Sequence, residues 1–406
     1  MVTNGGGVLT GFDLLADPDD HAALRKLARD VAAGDIAPRA SEWDAQRRFP
    51  DEAVAAFQQA GLFAITIGEQ YGGAGLDDRA STVVLEEIAR ADINSAIILQ
   101  ITYNGAVRAV EHHGSDGQKQ RWLPRAATGD ALFCIGITEA EAGSSVGEMR
   151  ATLTPDGDGY RLNAYKNYVT GGNRADACLV WARFPGGEGA RGIGSVLVDL
   201  SRDGVTVAGV HDNMGIRATT EAELVFDDVR IEPDDIVVAG DAADTESFKT
   251  MLSELNHERC GNAAMCVGAA HGALEHAIKY ANERVLNGKP LARLQGISWK
   301  LADMATELEA ARLLLYRAVS LAGPGGIPPA LETAMAKRSA NLAAKFICDE
   351  AIQIMGGYGY SREYPVEKIY RDVRGLNIGA GTVEVQRNYI GARMSAGRPP
   401  TGPAWR

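Results

Sequence analysis

A run of small and hydroxyl-bearing residues follows a predicted strand between Ile137 and Ser145. It reads Ile-Thr-Glu-Ala-Glu-Ala-Gly-Ser-Ser. Small residues let a backbone come close to a planar or phosphorylated ligand, and the hydroxyls of Thr138 and Ser144 could hydrogen-bond to it. An ordinary surface loop has a similar composition, so this segment alone is compatible with both interpretations.

A cationic residue that could bind phosphate begins a second segment. Arg284 is the first residue of Arg-Val-Leu-Asn-Gly-Lys-Pro. A guanidinium suits phosphate because its planar N–H groups can pair with two phosphate oxygens together. Taken alone, Arg284 is also typical of a solvated helix surface, which would be the simpler explanation.

The histidines and cysteines form no recognisable metal-binding pattern. His112 and His113 are neighbours in the chain, and adjacent residues on a helix are not expected to converge on one ion. The cysteines include no CxxC pair, which argues against a disulfide framework or a zinc site. We therefore predict no metal site. The five scattered cysteines are Cys134, Cys178, Cys260, Cys266 and Cys348.

Composition and charge exclude several classes of protein. Of the 406 residues, 46% are hydrophobic and 23% charged, as in globular proteins of two or three domains. The 41 basic and 53 acidic residues give a net charge of −12 without a long basic run, which argues against a nucleic-acid partner. No apolar stretch approaches the roughly 18 residues of a membrane span, and no signal peptide is recognisable. We therefore expect a cytoplasmic protein with no membrane partner.

Three regions of different periodicity would position the segments described above. Residues 1–130 show helical spacing, residues 131–243 contain short β-branched and aromatic runs, and residues 244–406 return to helical spacing. The sequence from Thr154 to Gly159 predicts a hairpin turn. The predicted fold is therefore α+β and multidomain, with a helical domain, an antiparallel β domain and a helical bundle. One bundle helix should bury a stripe formed by Ile297, Leu301, Met304, Leu308, Ala311 and Leu315.

Taken together, five segments resemble the acyl-CoA dehydrogenase family. Residues 138–144 match its T-E-x-x-A-G-S segment, and residues 168–170 stand where its W-I-T segment follows about thirty positions later. Residues 284–290 resemble its R-x-x-F-G-K-P turn. Residues 353–360 and 381–382 resemble a later glycine-rich stretch and a closing G-T pair. The five segments keep the family's order over about 245 residues, which makes the resemblance specific.

The resemblance implies FAD as the cofactor. Thr138 and Ser144 would contact the flavin or its phosphates, and the Thr170 hydroxyl would approach the flavin N5. Tyr168 replaces the usual Trp beside the ring, and Arg284 would reach the pyrophosphate of a neighbouring subunit's flavin. The residues that the resemblance assigns to FAD are Ile137, Thr138, Gly143, Ser144, Tyr168, Thr170, Arg284, Asn287, Gln353, Gly357, Thr382 and Glu384.

The resemblance also implies architecture and partners. The expected domains are an N-terminal helical domain, a middle antiparallel β domain and a C-terminal four-helix bundle. Family members are usually dimers of dimers that pass electrons to an electron-transfer flavoprotein. The expected reaction is α,β-dehydrogenation of an acyl thioester carried by CoA or by an acyl-carrier protein.

The family's usual catalytic base is missing from this sequence. Many members place a Glu directly before the G-T pair, where this chain has Ala380. The isovaleryl-CoA and long-chain branches instead use a Glu that precedes an Arg on the first bundle helix, and here that pair is Glu258-Arg259. We therefore predict that Glu258 is the base, although a solvated surface pair has the same appearance. His257 would point about 100° away from Glu258 on the helix and is the weaker candidate.

The substrate should lie between this helix and an earlier one. We expect the acyl pocket to draw on residues 97–106, around Gln100 and Tyr103, with Arg259 and Ser144 also contacting substrate. Ala380 is equally compatible with a flavin-dependent monooxygenase on the same fold, which would not need the base. A flavin-bearing protein without catalytic activity is a third possibility. The Glu258-Arg259 pair favours the dehydrogenase.

Overall fold

Helices with strong polar caps make up the N-terminal region. The protein structure is a computed structural model that describes residues 19–323 and 325–401. The side chains of Asp77 and Asp92 cap the N-termini of two consecutive helices by accepting from backbone N–H groups three residues ahead. The helices are α1 (Asp19–Val31), α2 (Ala40–Gln46), α3 (Asp51–Gln59), α4 (Asp78–Ala91), α5 (Ile93–Asn104), α6 (Ala106–His113) and α7 (Asp116–Thr128).

The middle region is an eight-stranded sheet in the order β6-β7-β3-β2-β4-β5-β8, with β1 paired to β4. As predicted, β2 and β3 form a hairpin, and Gly157 adopts a φ of 64° in its turn. We expected an antiparallel sheet, but the observed sheet is mixed, because β1 pairs with β4 in parallel. The β2–β3 hairpin lies between these two strands in the chain, which supplies the long connection that a parallel pair needs. The strands are β1 (Phe133–Gly136), β2 (Thr152–Asp156), β3 (Gly159–Thr170), β4 (Ala177–Arg183), β5 (Ile193–Asp199), β6 (Val205–Val210), β7 (Glu221–Ile231) and β8 (Ile236–Val238).

Long helices return in the C-terminal region, and a short hairpin separates the first two. The predicted stripe on α9 is confirmed in its C-terminal part, where Met304, Leu308, Ala311 and Leu315 are buried, whereas Ile297 and Leu301 are only partly buried. Helix α8 is the longest, at 38 residues, and it packs against α4, α9 and α10. The elements are α8 (Glu246–Glu283), β9 (Val285–Leu286), β10 (Lys289–Pro290), α9 (Gln295–Ser320), α10 (Ala330–Met355), α11 (Val366–Leu376) and α12 (Val383–Ser395).

The helical regions share one core, which fixes α8 relative to the N-terminal domain. Buried residues of α4, α5, α8, α9 and α10 belong to the same apolar cluster. A buried ion pair adds a polar link, since Lys368 on α11 lies 2.5 Å from the carboxylate of Asp92 at the start of α5. Within the described residues, no helix has the length and apolar character required to cross a membrane.

Candidate active site

Glu258 lies on α8 with its side chain half-buried and its carboxylate uncommitted. The Glu258 carboxylate forms no hydrogen bond or ion pair with any residue that the structure describes. Burial raises the pKa of Glu258, and the positive charges of Arg259 and Lys337 oppose that rise. A carboxylate with a raised pKa and no fixed partner is suited to accepting a proton from a substrate.

Arg259 links α8 to the loop that carries Ala380. Its Nε donates to the Ala380 carbonyl at 3.4 Å, and its Nη1 donates to the Asn256 side chain at 2.9 Å. Ala380 has a φ of 55°, a left-handed conformation that is uncommon for a residue with a side chain. Arg259, the chain neighbour of Glu258, thus joins the α8 turn that carries Glu258 to the loop that carries Ala380.

Gln100 holds the backbone of the α8 turn that carries Glu258. Its Nε2 donates to the Glu258 carbonyl at 3.0 Å. This contact requires Gly261, because a Cβ at that position would lie 1.7 Å from the Gln100 Oε1. Tyr103, expected in the pocket, is instead fully buried, and its hydroxyl donates to the carbonyl of Leu62. Of the two predicted pocket residues, only Gln100 contacts the helix turn of the base.

A buried lysine that the sequence analysis did not consider lies near Glu258. Lys337 on α10 has no exposed surface, and its Nζ donates to Asn341 at 2.9 Å. Burial lowers the pKa of Lys337 to about 8. Thr333, Lys337 and Asn341 are spaced by four residues and are all buried. That polar i, i+4 stripe among alanines was the sequence signal for a buried polar network.

The two segments assigned to the flavin ring are joined by a buried ion pair. Lys166 on β3 lies 2.7 Å from the Glu139 carboxylate, which also accepts from the Ala151 N–H at 3.0 Å. The backbone N–H of Asn167 donates to the Thr138 carbonyl at 2.8 Å. These contacts place the 137–145 segment beside the end of β3, as the spacing of the two motifs predicts.

The polar groups of these segments are available to a ligand. Among the described residues, none hydrogen-bonds to the hydroxyls of Thr138, Ser144 or Thr170. Tyr168 is 52% exposed and stacks on His211 with 4.3 Å between the ring centroids. One face of the Tyr168 ring is thus supported by the protein. Ile137 is half-buried, and Gly143 is exposed.

Two further residues that were predicted to bind the cofactor line an open cleft. Arg284 and Gly357 border an open cleft of about 900 Å³. Gln353 is exposed at the end of α10, directly before the cleft residue Ile354. Asn287 lies in the β9–β10 turn with a φ of 51°. A free guanidinium beside exposed glycine backbone fits a pyrophosphate group.

The last two predicted cofactor residues lie at the start of α12. Thr382 caps this helix by accepting from the Val385 N–H at 3.3 Å, and Glu384 is exposed in its first turn. The Thr382 side chain and the helix backbone lower the pKa of Glu384. This helix start follows Ala380 directly, so it lies beside Arg259 and Glu258. The hydroxyl-rich segments, the free Arg284 and this helix start together fit the donors that a flavin dinucleotide requires.

Comparisons with known proteins match all three regions. Family models described as the N-terminal, middle and C-terminal domains of acyl-CoA dehydrogenase match residues 18–130, 134–229 and 248–395. The mouse mitochondrial short-chain specific acyl-CoA dehydrogenase is 37% identical over 377 residues, covering 93% of this chain and 90% of the relative.

Two solved structures extend the likeness to the whole fold. The butyryl-CoA dehydrogenase of Megasphaera elsdenii is 34% identical with a TM-score of 0.89, covering 94% of this chain and 99% of that one. A glutaryl-CoA dehydrogenase of Mycobacterium smegmatis in complex with FADH2 is 28% identical with a TM-score of 0.87, covering 96% and 98%. The order of the three regions along the chain is the same in these proteins.

Proposed function

Since this chain belongs to the acyl-CoA dehydrogenase family, we propose that it oxidises an acyl thioester with Glu258 as the catalytic base. The chain is accordingly an FAD-dependent oxidoreductase that acts on CH–CH bonds of acyl-CoA substrates. The observation that carries the proposal for Glu258 is its uncommitted carboxylate, which adjoins the Ala380 loop and has a pKa raised by burial.

The reaction removes a proton from Cα and a hydride from Cβ, and a carbon–carbon double bond forms between them. Glu258 accepts the Cα proton, and its raised pKa favours that transfer. When bound, FAD supplies the hydride acceptor at its N5. Gln100 holds the helix turn of the base, and Thr138, Ser144, Tyr168 and Thr170 bind and orient the ring.

An ion-pair role for Glu258 has less support than the base role. Arg259 directs its guanidinium to Asn256 and Ala380, and no ion pair joins it to Glu258. A partner that only neutralised the carboxylate would be expected within about 4 Å. The nearby charge of Lys337 opposes the rise in the pKa of Glu258 without contacting it.

The carrier and the electron acceptor are also parts of this proposal. We propose acyl-CoA as the substrate, with an acyl-carrier protein as the alternative carrier, and an electron-transfer flavoprotein as the partner that reoxidises the enzyme. The carrier and the electron acceptor are both inferred from the family resemblance. A monooxygenase would have no use for the carboxylate of Glu258, so this residue favours the dehydrogenase.

We further propose that the cofactor site is completed by a second subunit. The Arg284 side chain is exposed and has no partner among the described residues. The apolar side chains that directly follow it in the chain are also exposed, with Val285 at 56% and Leu286 at 46%. Apolar exposure of this kind is typical of a surface that another protein covers. A dimer of dimers, with Arg284 reaching a partner's flavin, accounts for both observations.

Anaerobic reduction of the bound flavin tests the base. We expect acyl-CoA substrates to bleach the visible absorption of oxidised flavin in the wild type but not in Glu258→Gln. Glu283→Gln is the matched control, because Glu283 is exposed at the end of the same helix. Rapid bleaching of the Glu258→Gln enzyme would rule out Glu258 as the base. Failure of every thioester to bleach the wild type, with oxygenated product formed in air, would favour the monooxygenase.

Hybrid oligomers test the shared site. Glu258→Gln and Arg284→Ala each inactivate their own homo-oligomer under this proposal. If Arg284 serves the partner's flavin, one site of a mixed dimer contains both native residues, and mixing the two inactive variants under conditions of subunit exchange restores activity. If Arg284 serves its own chain's flavin, no site of the mixture is intact and activity stays absent.

A further inference from the structure

Three side chains that can bind metal ions converge between α6 and α8. The ligand atoms of His112, Glu254 and His257 all lie within 4.8 Å of one another. The Nδ1 of His112 lies 3.0 Å from the Glu254 Oε2, and the Nε2 of His257 lies 4.0 Å from the same oxygen. The cluster is separate from the predicted flavin residues and lies one helical turn before Glu258.

His257 contains an unsatisfied polar atom that is directed into this cluster. Its side chain is 1% exposed, and its Nε2 is buried without a hydrogen-bond partner. The other ring nitrogen, Nδ1, lies 2.8 Å from the Asp78 Oδ2. Leaving a buried polar atom without a partner is unfavourable, so such atoms usually have a ligand, an ion or a water beside them.

Asp78 fixes the orientation of the His257 ring. An N–H donated from Nδ1 to Asp78 leaves the lone pair of Nε2 facing Glu254. Asp78 is itself held by Arg108, whose guanidinium lies 2.9 Å from its second oxygen. A histidine that donates one nitrogen to a carboxylate and presents the other to an ion is the usual arrangement around bound zinc.

We propose that His112, Glu254 and His257 bind one divalent cation of the zinc type. Two imidazoles and one carboxylate suit Zn²⁺, which accepts such a set with bonds of about 2.0–2.2 Å. Ligand atoms around a tetrahedral ion of this size lie about 3.3 Å apart, so His257 must approach Glu254 by less than about 1 Å. Glu254 and the neighbouring His113 also line a pocket beside the cluster.

The sequence also contains a spacing that is typical of metal ligands on a helix, apart from the His112-His113 pair. Glu254 and His257 form an E-x-x-H pair on α8, and residues three apart on a helix share a face. The same spacing supplies metal ligands in some helical bundles. His112 and His113, which we expected to diverge, both contact Glu254, because one uses Nδ1 and the other Nε2.

A network of charges without metal is the alternative. Burial raises the pKa of Glu254, but hydrogen bonds with His112 and His113 bring it down to about 2. In that case the Glu254 carboxylate is held by His112 and His113 alone. That arrangement leaves the Nε2 of His257 without a partner, whereas an ion bonds to all three side chains.

Metal binding to the purified, FAD-loaded protein tests the proposal. After removal of divalent ions with a chelator, we expect Zn²⁺ to bind at one equivalent per chain and to raise the melting temperature. Co²⁺ should bind at the same site and give the visible absorption of a nitrogen- and oxygen-ligated ion. Glu254→Gln and His257→Gln should each weaken Zn²⁺ binding by at least about tenfold.

His112→Gln and His276→Gln complete the set of variants. The His112 side chain is 22% exposed, so its loss is less disruptive to folding than that of His257, and it should weaken Zn²⁺ binding by a similar factor. His276 lies on the same helix outside the cluster and should bind Zn²⁺ as the wild type does. The proposal is overturned if the wild type binds less than one equivalent, or if the cluster variants bind it with unchanged affinity.

Discussion

Glu254 and Glu258 stand one turn apart on α8 and have opposite environments. Glu254 is buried and paired with His112 and His113, and these contacts bring its pKa down to about 2. The Glu258 carboxylate has no hydrogen-bond partner among the described residues, and burial raises its pKa. The same residue type on the same helix is thus held as a stable anion at one position and left ready to take up a proton at the other.

The difference comes from which elements face each side chain. Glu254 faces the C-terminal end of α6, where two histidines supply N–H donors. Near Glu258, the cations Arg259 and Lys337 make their hydrogen bonds to other groups. Proximity of a positive charge therefore does not by itself make a carboxylate part of an ion pair.

The largest expected effect is on the chemical step. Glu258→Gln should lower the rate constant of flavin reduction by about 10²–10⁴-fold, because the amide cannot accept the Cα proton. Glu258→Asp keeps the carboxylate but withdraws it by one methylene, so its rate should fall between those of Gln and wild type. Stopped-flow reduction under anaerobic conditions measures all three. A Gln variant with a rate within a factor of ten of wild type would contradict the assignment.

Stability should change in opposite directions at the two positions. Glu254→Gln removes an anion whose pKa is lowered to about 2, and the lost interaction is on the order of 3 kcal/mol in the free energy of unfolding. Glu258→Gln removes a buried charge without a partner, so the free energy of unfolding should increase near neutral pH. Urea denaturation followed by tryptophan fluorescence measures both. Changes of the same sign in the free energy of unfolding would contradict the difference in environment between Glu254 and Glu258.

The pH dependence should separate the two carboxylates further. The raised pKa of Glu258 means that the rate of flavin reduction should fall as pH drops through this pKa, which lies above about 4.3. Protonation of Glu258 stabilises the folded protein at low pH, and that stability is lost as pH rises through the same pKa. The lowered pKa of Glu254 contributes stability above about 4.3, which is lost as pH falls toward 2. Rate profiles from pH 4 to 8 and denaturation from pH 2 to 8 test this, with Glu258→Gln lacking the acidic limb of the rate profile.

The smallest expected effect comes from the buried lysine. Lys337→Met removes a positive charge that lowers the pKa of Glu258, so the acidic limb of the rate profile should move to higher pH by less than about one unit. Lys345→Met is a matched control, because Lys345 is exposed on the same helix. A shift to lower pH in Lys337→Met would show that this lysine does not act on Glu258 through its charge.

Local patterns predicted much of the fold and the segments of the site. The α9 stripe and the β2–β3 hairpin follow from periodicity and turn residues, and the junction of residues 137–145 with β3 follows from the family resemblance. The parallel β1–β4 pairing, the contact of Gln100 with the Glu258 carbonyl and the burial of Tyr103 do not. These features depend on how distant elements pack, with Gln100 and Glu258 separated by 158 positions. Local periodicity has no information about such contacts.

The contact between Gln100 and Gly261 also constrains how the sequence can vary. The position of Glu258 is set by a side chain on α5 that bonds to backbone, so it does not depend on the identity of the neighbouring pocket residues. Gly261 is the exception, since any larger residue there would displace Gln100. Glycine at position 261 is therefore a condition for the hydrogen bond that holds the helix turn of Glu258.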